Sequence, residues 1–366
     1  YFSKKSQHLT FDESLFLVSM LKGPYFYNPL RNENRFRERV LVLAKKLRKE
    51  KLLGEADFKN LRFNLDDWLK LFSKKHDVMF LRYLVNLKNK EELSFDDYVL
   101  FSSGEKIKRK FSEYYKVNFD FEVLRRDKSE LKYMHSYFMK NIKHQLGSAL
   151  KPLVYSLILE GSNLDDLVST APLKLQLKSG KWSPRDHLKE GESSVTIKKA
   201  IQKSLNIPLV RLAQKFGFNR LETKLKEYIP NLKKPLSEYP SQLLGAVELD
   251  LFELEELFQK FFAKVCTDQA FRRVYDALTD PTITTVSSRS KELAGLSFFG
   301  KTGTSNNSMD NWFVFHGGEE TIITWFGYLG RREDRSFRLS GASTSFEILK
   351  GYLLGRGKRI GQFSCD

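Results

Sequence analysis

The chain has 366 residues, of which 41% are hydrophobic and 13% aromatic, so it can build a large core and is not an intrinsically disordered protein. Its formal net charge of +17 indicates an anionic partner. No zinc-finger spacing, RNP-like motif or long basic tail accompanies that charge, so nucleic acid is not a predicted partner. No run of about 18 apolar residues occurs, and the sequence therefore predicts no membrane-spanning segment.

The cysteine and histidine residues predict no metal site. Cys266 and Cys365 lie far apart without CxxC spacing, and we interpret them as two unrelated thiols, although pairing in an oxidising compartment stays open. The six histidines show no HxxxH or HExxH arrangement. The sequence accordingly predicts neither a bound metal nor a cofactor.

In chain order, the first predicted elements are two helices. Thr10 and Glu13 form a T-x-x-E capping box before an apolar run that Gly23 ends. A second amphipathic pattern predicts a helix over about residues 35–53, ending at Gly54. The polar face of that helix is strongly basic, and we interpret it as a solvated face rather than as a membrane contact.

The rest of the chain combines strands with a helical middle. Near-alternation after Asn118 predicts a hairpin, and a helix is predicted from about Gly147. Further helices are predicted for TIKKAIQKSL, capped by Thr196, for IPLVRLAQKF, capped by Asn206, and for LLGAVELDLFELEELFQKFF. Three strand-like runs near the end, LSFFGKTGTS, NWFVFHG and TIITWFGYLG, predict an antiparallel meander. Strands before and after a set of helices indicate an α/β layer fold.

The first candidate for chemistry is the segment GSALKP, which places the hydroxyl of Ser148 and the amine of Lys151 on one face at the start of a helix. Serine becomes a nucleophile when a base removes its proton, and a lysine kept neutral by burial or by another cation can be that base. On its own, S-x-x-K more often means that Ser148 caps a helix and that Lys151 is solvated.

The other two candidates supply polar groups for binding. Ser204-Leu205-Asn206 lies in a tight link between helices, where a hydroxyl and an amide could pass a proton and hold a peptide group; alternatively Asn206 is only a helix cap. Lys301-Thr302-Gly303-Thr304 lies on a strand predicted at a sheet edge. Gly303 would let a substrate backbone approach, and the lysine and threonines would seat a carboxylate. Alternatively this segment is a turn with an exposed lysine.

S-x-x-K, S-x-N and K-T-G in this order resemble the motif set of β-lactamases and penicillin-binding proteins. The flanking segments GSALKPLVYSLILEG, IQKSLNIPLVRLAQKFG, LLGAVEL and FFGKTGTSNNSMDNWFVF are similar to those of class A penicillin-binding proteins. At the front, LTFDESLFLVSMLKGPYFYNP resembles the last part of that family's lipid-II glycosyltransferase domain. The resemblance implies an α/β fold with an antiparallel sheet of about five strands flanked by helices, an all-helical subdomain and a small helical N-terminal module.

The resemblance also implies a domain order. Residues 1–58 would be the C-terminal remnant of the glycosyltransferase domain, 59–118 a helical linker or pedestal, 119–350 the transpeptidase domain, and 351–366 a C-terminal tail. Because the family's catalytic glutamates lie upstream of the remnant, this fragment is not expected to polymerise glycan. We expect the chain to be cut from a longer protein that is anchored by an N-terminal segment at the periplasmic face of the bacterial cytoplasmic membrane.

The activity implied by the resemblance is cross-linking of peptidoglycan stem peptides that end in D-Ala-D-Ala, through a serine acyl-enzyme. Ser148 would be the nucleophile, Lys151 its base and Ser204 a proton relay, with the backbone N–H groups of Ser148 and Thr304 as oxyanion hole. The implied substrate-binding set is Asn206, Lys301, Thr302, Gly303 and Thr304. Implied partners are stem peptides, the lipid-linked precursor polymer, β-lactam antibiotics, and the membrane surface through the missing N-terminal part.

Two rival interpretations stay open. A hydrolase of the same superfamily, a D,D-carboxypeptidase or a β-lactamase, would need a base for deacylation; Glu190 and Glu192 precede Ser204 but belong to no recognisable motif. A catalytically silent scaffold that binds wall polymer is compatible with the short distance of 95 residues (301 minus 206) between the second and third motifs. Trp312, just after the third motif, is interpreted as sheet core rather than as groove lining.

Overall fold

The structure is a computed structural model that describes residues 10–23, 26–27, 29, 33–59, 61, 95–128, 130–135, 142–186, 192–232, 234–328, 336–361 and 363–365. The chain divides into two compact units, residues 1–93 and 94–366. Within the described residues, no helix combines the length and the apolar character needed to cross a membrane.

The first unit contains the two predicted helices, α1 (Phe11–Leu21) and α2 (Glu33–Lys49). The capping box is confirmed, because Thr10 N–H donates to Glu13 at 2.9 Å while Glu13 N–H donates to the Thr10 hydroxyl at 3.2 Å. The two helices bury one apolar cluster between them, which consists of Leu15, Phe16, Met20, Phe36, Val40, Ala44, Leu53 and Leu61.

The second unit combines a large sheet with several helices. Its helices are α3 (Phe95–Tyr115), α4 (Lys151–Ile158), α5 (Ile197–Gln202), α6 (Ile207–Phe216), α7 (Phe218–Lys226), α8 (Leu251–Val265), α9 (Gln269–Ala277) and α10 (Ser345–Gly355). Its strands are β1 (Phe119–Asp127), β2 (Glu130–His135), β3 (His144–Gln145), β4 (Leu167–Ser169), β5 (Leu175–Leu177), β6 (Gly180–Trp182), β7 (Ser194–Thr196), β8 (Glu248–Leu249), β9 (Phe299–Thr304), β10 (Asp310–Gly317) and β11 (Glu320–Tyr328).

Five of these strands form one antiparallel sheet in the order β2-β1-β11-β10-β9. The predicted hairpin and the predicted meander are both confirmed, and β9 with the lysine motif is an edge strand. On one face, Phe121 of β1 contacts Phe101 of α3, and Phe313 of β10 contacts Phe346 of α10. On the other face, Phe299 of β9 packs against α8. The α/β fold with helices on both sides of a five-stranded sheet is therefore confirmed.

The interpretation of the two cysteines as unrelated thiols is wrong. Cys266 and Cys365 form a disulfide, with their Cα atoms 5.4 Å apart. The last residues fold back onto the helical layer, where the ring of Phe363 lies 4.9 Å from the ring of Tyr275. Because 99 residues separate the two cysteines, only this tertiary contact brings them together, and sequence spacing could not predict it.

Candidate active site

Ser148 lies in a single 3-10 turn, Gly147–Leu150, that leads directly into α4. Gly147 has φ +52°, and a Cβ atom on it would lie 2.2 Å from the carbonyl oxygen of Thr304 on β9. A Cβ atom on Gly303 would lie 2.3 Å from the carbonyl oxygen of Leu146. The backbone of the Ser148 turn therefore lies directly against the edge strand, at a distance that only glycine permits.

The same turn is fixed from behind by backbone and indole hydrogen bonds. Gly147 N–H donates to the carbonyl of Gly245 at 3.0 Å. The indole N–H of Trp312 donates to the carbonyl of Gln145 at 3.0 Å, and its side chain is fully buried. The interpretation of Trp312 as core is thus confirmed, and its indole also supports the chain that leads to Ser148.

Ser204 occupies the left-handed position at the end of α5, with φ +56°. Ser204 N–H donates to Ile201 at 3.1 Å and Leu205 N–H donates to Ala200 at 2.9 Å, which together make a Schellman motif. Glycine is the usual residue at this position, because a side chain there costs about 1–2 kcal/mol. The strained serine is held by the surrounding hydrogen bonds, as is typical of functional sites.

Two buried lysines converge on Ser204. The ammonium of Lys151 donates to the carbonyl of Ser204 at 2.5 Å, to its hydroxyl at 3.3 Å and to Asn206 Oδ1 at 2.6 Å. Lys301 Nζ donates to the same hydroxyl at 3.0 Å and to the carbonyl of Thr302 at 2.8 Å. Only 1% of Lys151 and 2% of Lys301 is exposed. The alternatives in which these lysines are solvated are therefore excluded.

Burial changes the protonation of both lysines. Desolvation lowers the pKa of Lys151 to about 7, although the negative charge of Asp186 acts in the opposite direction. Desolvation, and secondly the charge of Lys151, lowers the pKa of Lys301 well below its ordinary value. Lys151 can therefore exchange a proton near neutral pH, which is what a general base requires.

Asn206 stands at the N-cap position of α6, as predicted, but its side chain makes no capping hydrogen bond. Its Nδ2 donates instead to the carbonyl of Arg185 at 2.5 Å, and its Oδ1 accepts from Lys151. Asp186 caps the helix, because its Oδ1 accepts from the backbone N–H of Asn206 and, at 3.2 Å, of Ile207. Sequence reasoning missed Asp186, since no local pattern links it to a helix that begins about 20 residues later.

The threonines of the lysine motif have defined partners. Thr302 Oγ1 lies 2.8 Å from Thr285 Oγ1. Thr304 Oγ1 accepts from the backbone N–H of Gly341 at 3.0 Å, which leaves its own O–H available as a donor. Both hydroxyls therefore have a hydrogen-bond partner outside the edge strand.

The structure brings together four of the predicted side chains, Lys151, Ser204, Asn206 and Lys301, in one hydrogen-bonded cluster. Ser148 adjoins this cluster, being half-buried one turn before the first lysine and with its turn against β9. In the described part of the chain, the Ser148 hydroxyl makes no hydrogen bond to either lysine. Catalytic contacts of this kind often close only when substrate is bound.

Glu192, one of the two acids considered for a hydrolase, does not enter the cluster. Glu192 pairs with Lys199 at 2.7 Å, and both side chains are exposed. Glu190 lies outside the described residues. The described residues contain no group of three or more histidine, cysteine, aspartate or glutamate side chains that could hold a metal ion.

Comparisons with known proteins point in one direction. No family model matches the chain. It is 24% identical to penicillin-binding protein 1B of Haemophilus influenzae, over 96% of this chain and 53% of that protein. The chain spans about half the length of the curated relatives that it matches over most of its own length.

Two solved structures share the fold. The crystal structure of penicillin-binding protein 1A from Haemophilus influenzae matches with a TM-score of 0.61 at 13% identity, covering 100% of this chain and 83% of that one. The PonA1 protein of Mycobacterium tuberculosis in complex with penicillin V matches with a TM-score of 0.55 at 16% identity, covering 80% of this chain and 94% of that one. At these sequence identities, the structural similarity shows a shared fold and nothing further.

Proposed function

The chain belongs to the class A penicillin-binding proteins, and from this premise we propose that it is a peptidoglycan D,D-transpeptidase that acts through an acyl-enzyme on Ser148. The observation that carries the proposal is the convergence of Lys151 and Lys301 on the hydroxyl of Ser204, beside the turn that holds Ser148. Burying two amines beside one hydroxyl lowers the stability of the fold. A role in activating Ser148 would explain why the chain keeps them there.

In the proposed reaction, Ser148 Oγ attacks the carbonyl of the penultimate D-Ala while neutral Lys151 takes the hydroxyl proton. Backbone N–H groups of Ser148 and Thr304 stabilise the oxyanion, a contribution of about 3 kcal/mol per donor in enzymes of this type. The proton passes through Ser204 to the departing D-Ala amine, and the peptide bond breaks. The amine of a second stem peptide then attacks the ester and loses a proton to Lys151. The new amide bond forms as the ester bond breaks, and Lys151 returns the proton to Ser148 Oγ.

Lys301 and the threonine hydroxyls would bind the terminal carboxylate of the substrate. A carboxylate that arrives beside Lys301 favours the charged form of this buried amine, so substrate binding would itself restore the cation. Thr304 would donate its free O–H to the same carboxylate. Asn206 would hold the acyl part of the substrate from the opposite side.

We further propose a periplasmic location at the cytoplasmic membrane. The disulfide between Cys266 and Cys365 fits an oxidising compartment. The net charge of +17 fits acidic lipid or wall polymer as neighbours. Residues 1–58 would be the end of a glycosyltransferase domain, with 59–118 as linker, 119–350 as transpeptidase domain and 351–366 as tail. Stem peptides, the lipid-linked precursor polymer and β-lactams would be the partners.

The test is mass spectrometry of the intact chain after exposure to benzylpenicillin, with the adduct mapped by peptide. We expect one adduct, on the peptide that contains Ser148, persisting for many minutes. Ser148→Ala should carry none, whereas Ser162→Ala, which changes a serine remote from the cluster, should be labelled like the wild type. Rapid loss of the adduct would support a hydrolase. No labelling at all would support a silent scaffold.

A further inference from the structure

The start of α6 is capped by a residue from outside the helix. Asp186 accepts hydrogen bonds from the backbone N–H groups of Asn206 and Ile207, the first two residues at this helix end. An asparagine at an N-cap ordinarily uses its own side chain for this purpose. Because Asp186 does so here, the amide of Asn206 is free to contact Lys151 at 2.6 Å.

Asn206 is also fixed by the residue next to the aspartate. Its Nδ2 donates to the carbonyl of Arg185 at 2.5 Å, so its Oδ1 faces Lys151 in a single orientation. Residues 185 and 186 thus hold both the backbone and the side chain of Asn206. Loss of the aspartate would release the helix end and the amide together.

The charge of Asp186 also acts on the buried face of α4. It opposes the burial that lowers the pKa of Lys151, and it adds to the burial that raises the pKa of Tyr155, one turn further along the helix. Among the described residues, the ionisable groups that interact electrostatically with Lys151 are Asp186, from the loop after β6, and Lys301, from β9. Tyr155, on the same helix as Lys151, interacts with Asp186 as well. Of these, Asp186 is the one whose charge favours the ammonium.

We propose that Asp186 is a positioning residue for acylation, which fixes Asn206 against Lys151 and whose negative charge sets the pH range in which Lys151 becomes the base. This inference rests on the proposed function. It separates two contributions of a single carboxylate, one made by its oxygen as an acceptor and one made by its charge. Substitutions can remove either contribution alone.

The experiment measures the rate of Ser148 acylation by benzylpenicillin against pH, in the full chain. Asp186→Asn keeps an acceptor oxygen and removes the charge, so the acid limb of the profile should move to lower pH with a similar maximal rate. Asp186→Glu keeps the charge and displaces the oxygen, so the maximal rate should fall while the midpoint stays. Asp186→Ala removes both, so the acid limb should move to lower pH as in the Asn variant and the maximal rate should fall by on the order of tenfold to a hundredfold.

Asp268→Asn is the matched control, because Asp268 caps α9 through the backbone N–H of Ala270 at 2.8 Å and of Phe271 at 3.4 Å, away from the cluster. It should leave the midpoint unchanged. Circular dichroism of each variant verifies folding; if the Asn variant does not fold, the Ala variant still reports the midpoint without the charge and the Glu variant the rate without the aligned oxygen. If the wild type is acylated but Asp186→Asn has the same midpoint in its pH profile, this inference is wrong and the proposed function still stands. A wild type without adduct at any pH overturns the proposed function as well.

Discussion

The two segments that meet at the candidate active site are held by opposite means. The Ser148 turn is fixed by close backbone packing, with Gly147 against the carbonyl of Thr304. The Ser204 segment places a serine where glycine is favoured, and side-chain hydrogen bonds from Lys151 and Lys301 hold it. The first segment therefore tolerates no added atom, whereas the second tolerates changes of shape but not loss of polar partners.

The largest effect is expected from Gly147→Ala. Its Cβ would overlap the backbone of Thr304 in a left-handed conformation, so the turn must move away from β9 and the proposed oxyanion hole would be lost. We expect acylation by benzylpenicillin to fall by a hundredfold or more, on the scale of oxyanion-hole removal.

Gly161→Ala is the control for this substitution. Gly161 also has a positive φ, of +73°, but a Cβ atom there would meet nothing within 4 Å. It should cost only about 1 kcal/mol of stability and leave acylation intact. Equal loss of acylation in the two variants would contradict the importance of close packing at the Ser148 turn.

A smaller effect on the acylation rate is expected from a change of pH. The pKa of Lys151 lies at about 7 because the side chain is buried, and only its neutral form can accept the serine proton. The acylation rate should therefore rise with pH up to about 7 and fall about tenfold per pH unit below it. The carboxylate of the β-lactam titrates far lower and does not interfere. A rate that is flat between pH 5 and pH 8 would rule out Lys151 as the base.

The disulfide should matter for stability and not for chemistry. Replacing Cys266 and Cys365 together by serine should lower the free energy of unfolding by about 2–4 kcal/mol, because the unfolded chain gains freedom. Acylation of Ser148 should be unchanged, since neither cysteine touches the cluster. Urea unfolding with and without reductant measures the first effect, and a wild type insensitive to reductant would contradict the pairing.

The smallest effect is expected for the difference in stability between two substitutions at Ser204. Ser204→Gly and Ser204→Ala both remove the hydroxyl, but only glycine relieves the left-handed backbone, which has φ +56°. The glycine variant should be more stable than the alanine variant by about 1 kcal/mol in urea unfolding. Equal stabilities would show that the backbone strain at this position is absent in solution.

Local patterns predicted the elements that depend on local sequence. The capping box at Thr10 and Glu13 and the three-stranded meander follow from neighbouring residues, and the structure confirms them. The order of the three motifs identified the family and, through it, Lys151 and Lys301. The fold class was predicted both from the pattern of strands and helices and from the resemblance that the three motifs carry.

Features that depend on distant residues were not predictable. The pairing of Cys266 with Cys365 and the capping of α6 by Asp186 each join segments that only the tertiary fold brings together. The depth of burial of Lys151 also depends on the layers around it. The roles assigned to the site residues, Ser148 first among them, remain predictions.

The most direct measurement is a crystal structure of the acyl-enzyme formed with benzylpenicillin. We expect density continuous from Ser148 Oγ into the acyl group, the acyl carbonyl oxygen within hydrogen-bonding distance of the backbone N–H groups of Ser148 and Thr304, and the ligand carboxylate against Lys301. An ester on any other residue, or an acyl oxygen turned away from Thr304, would contradict the account.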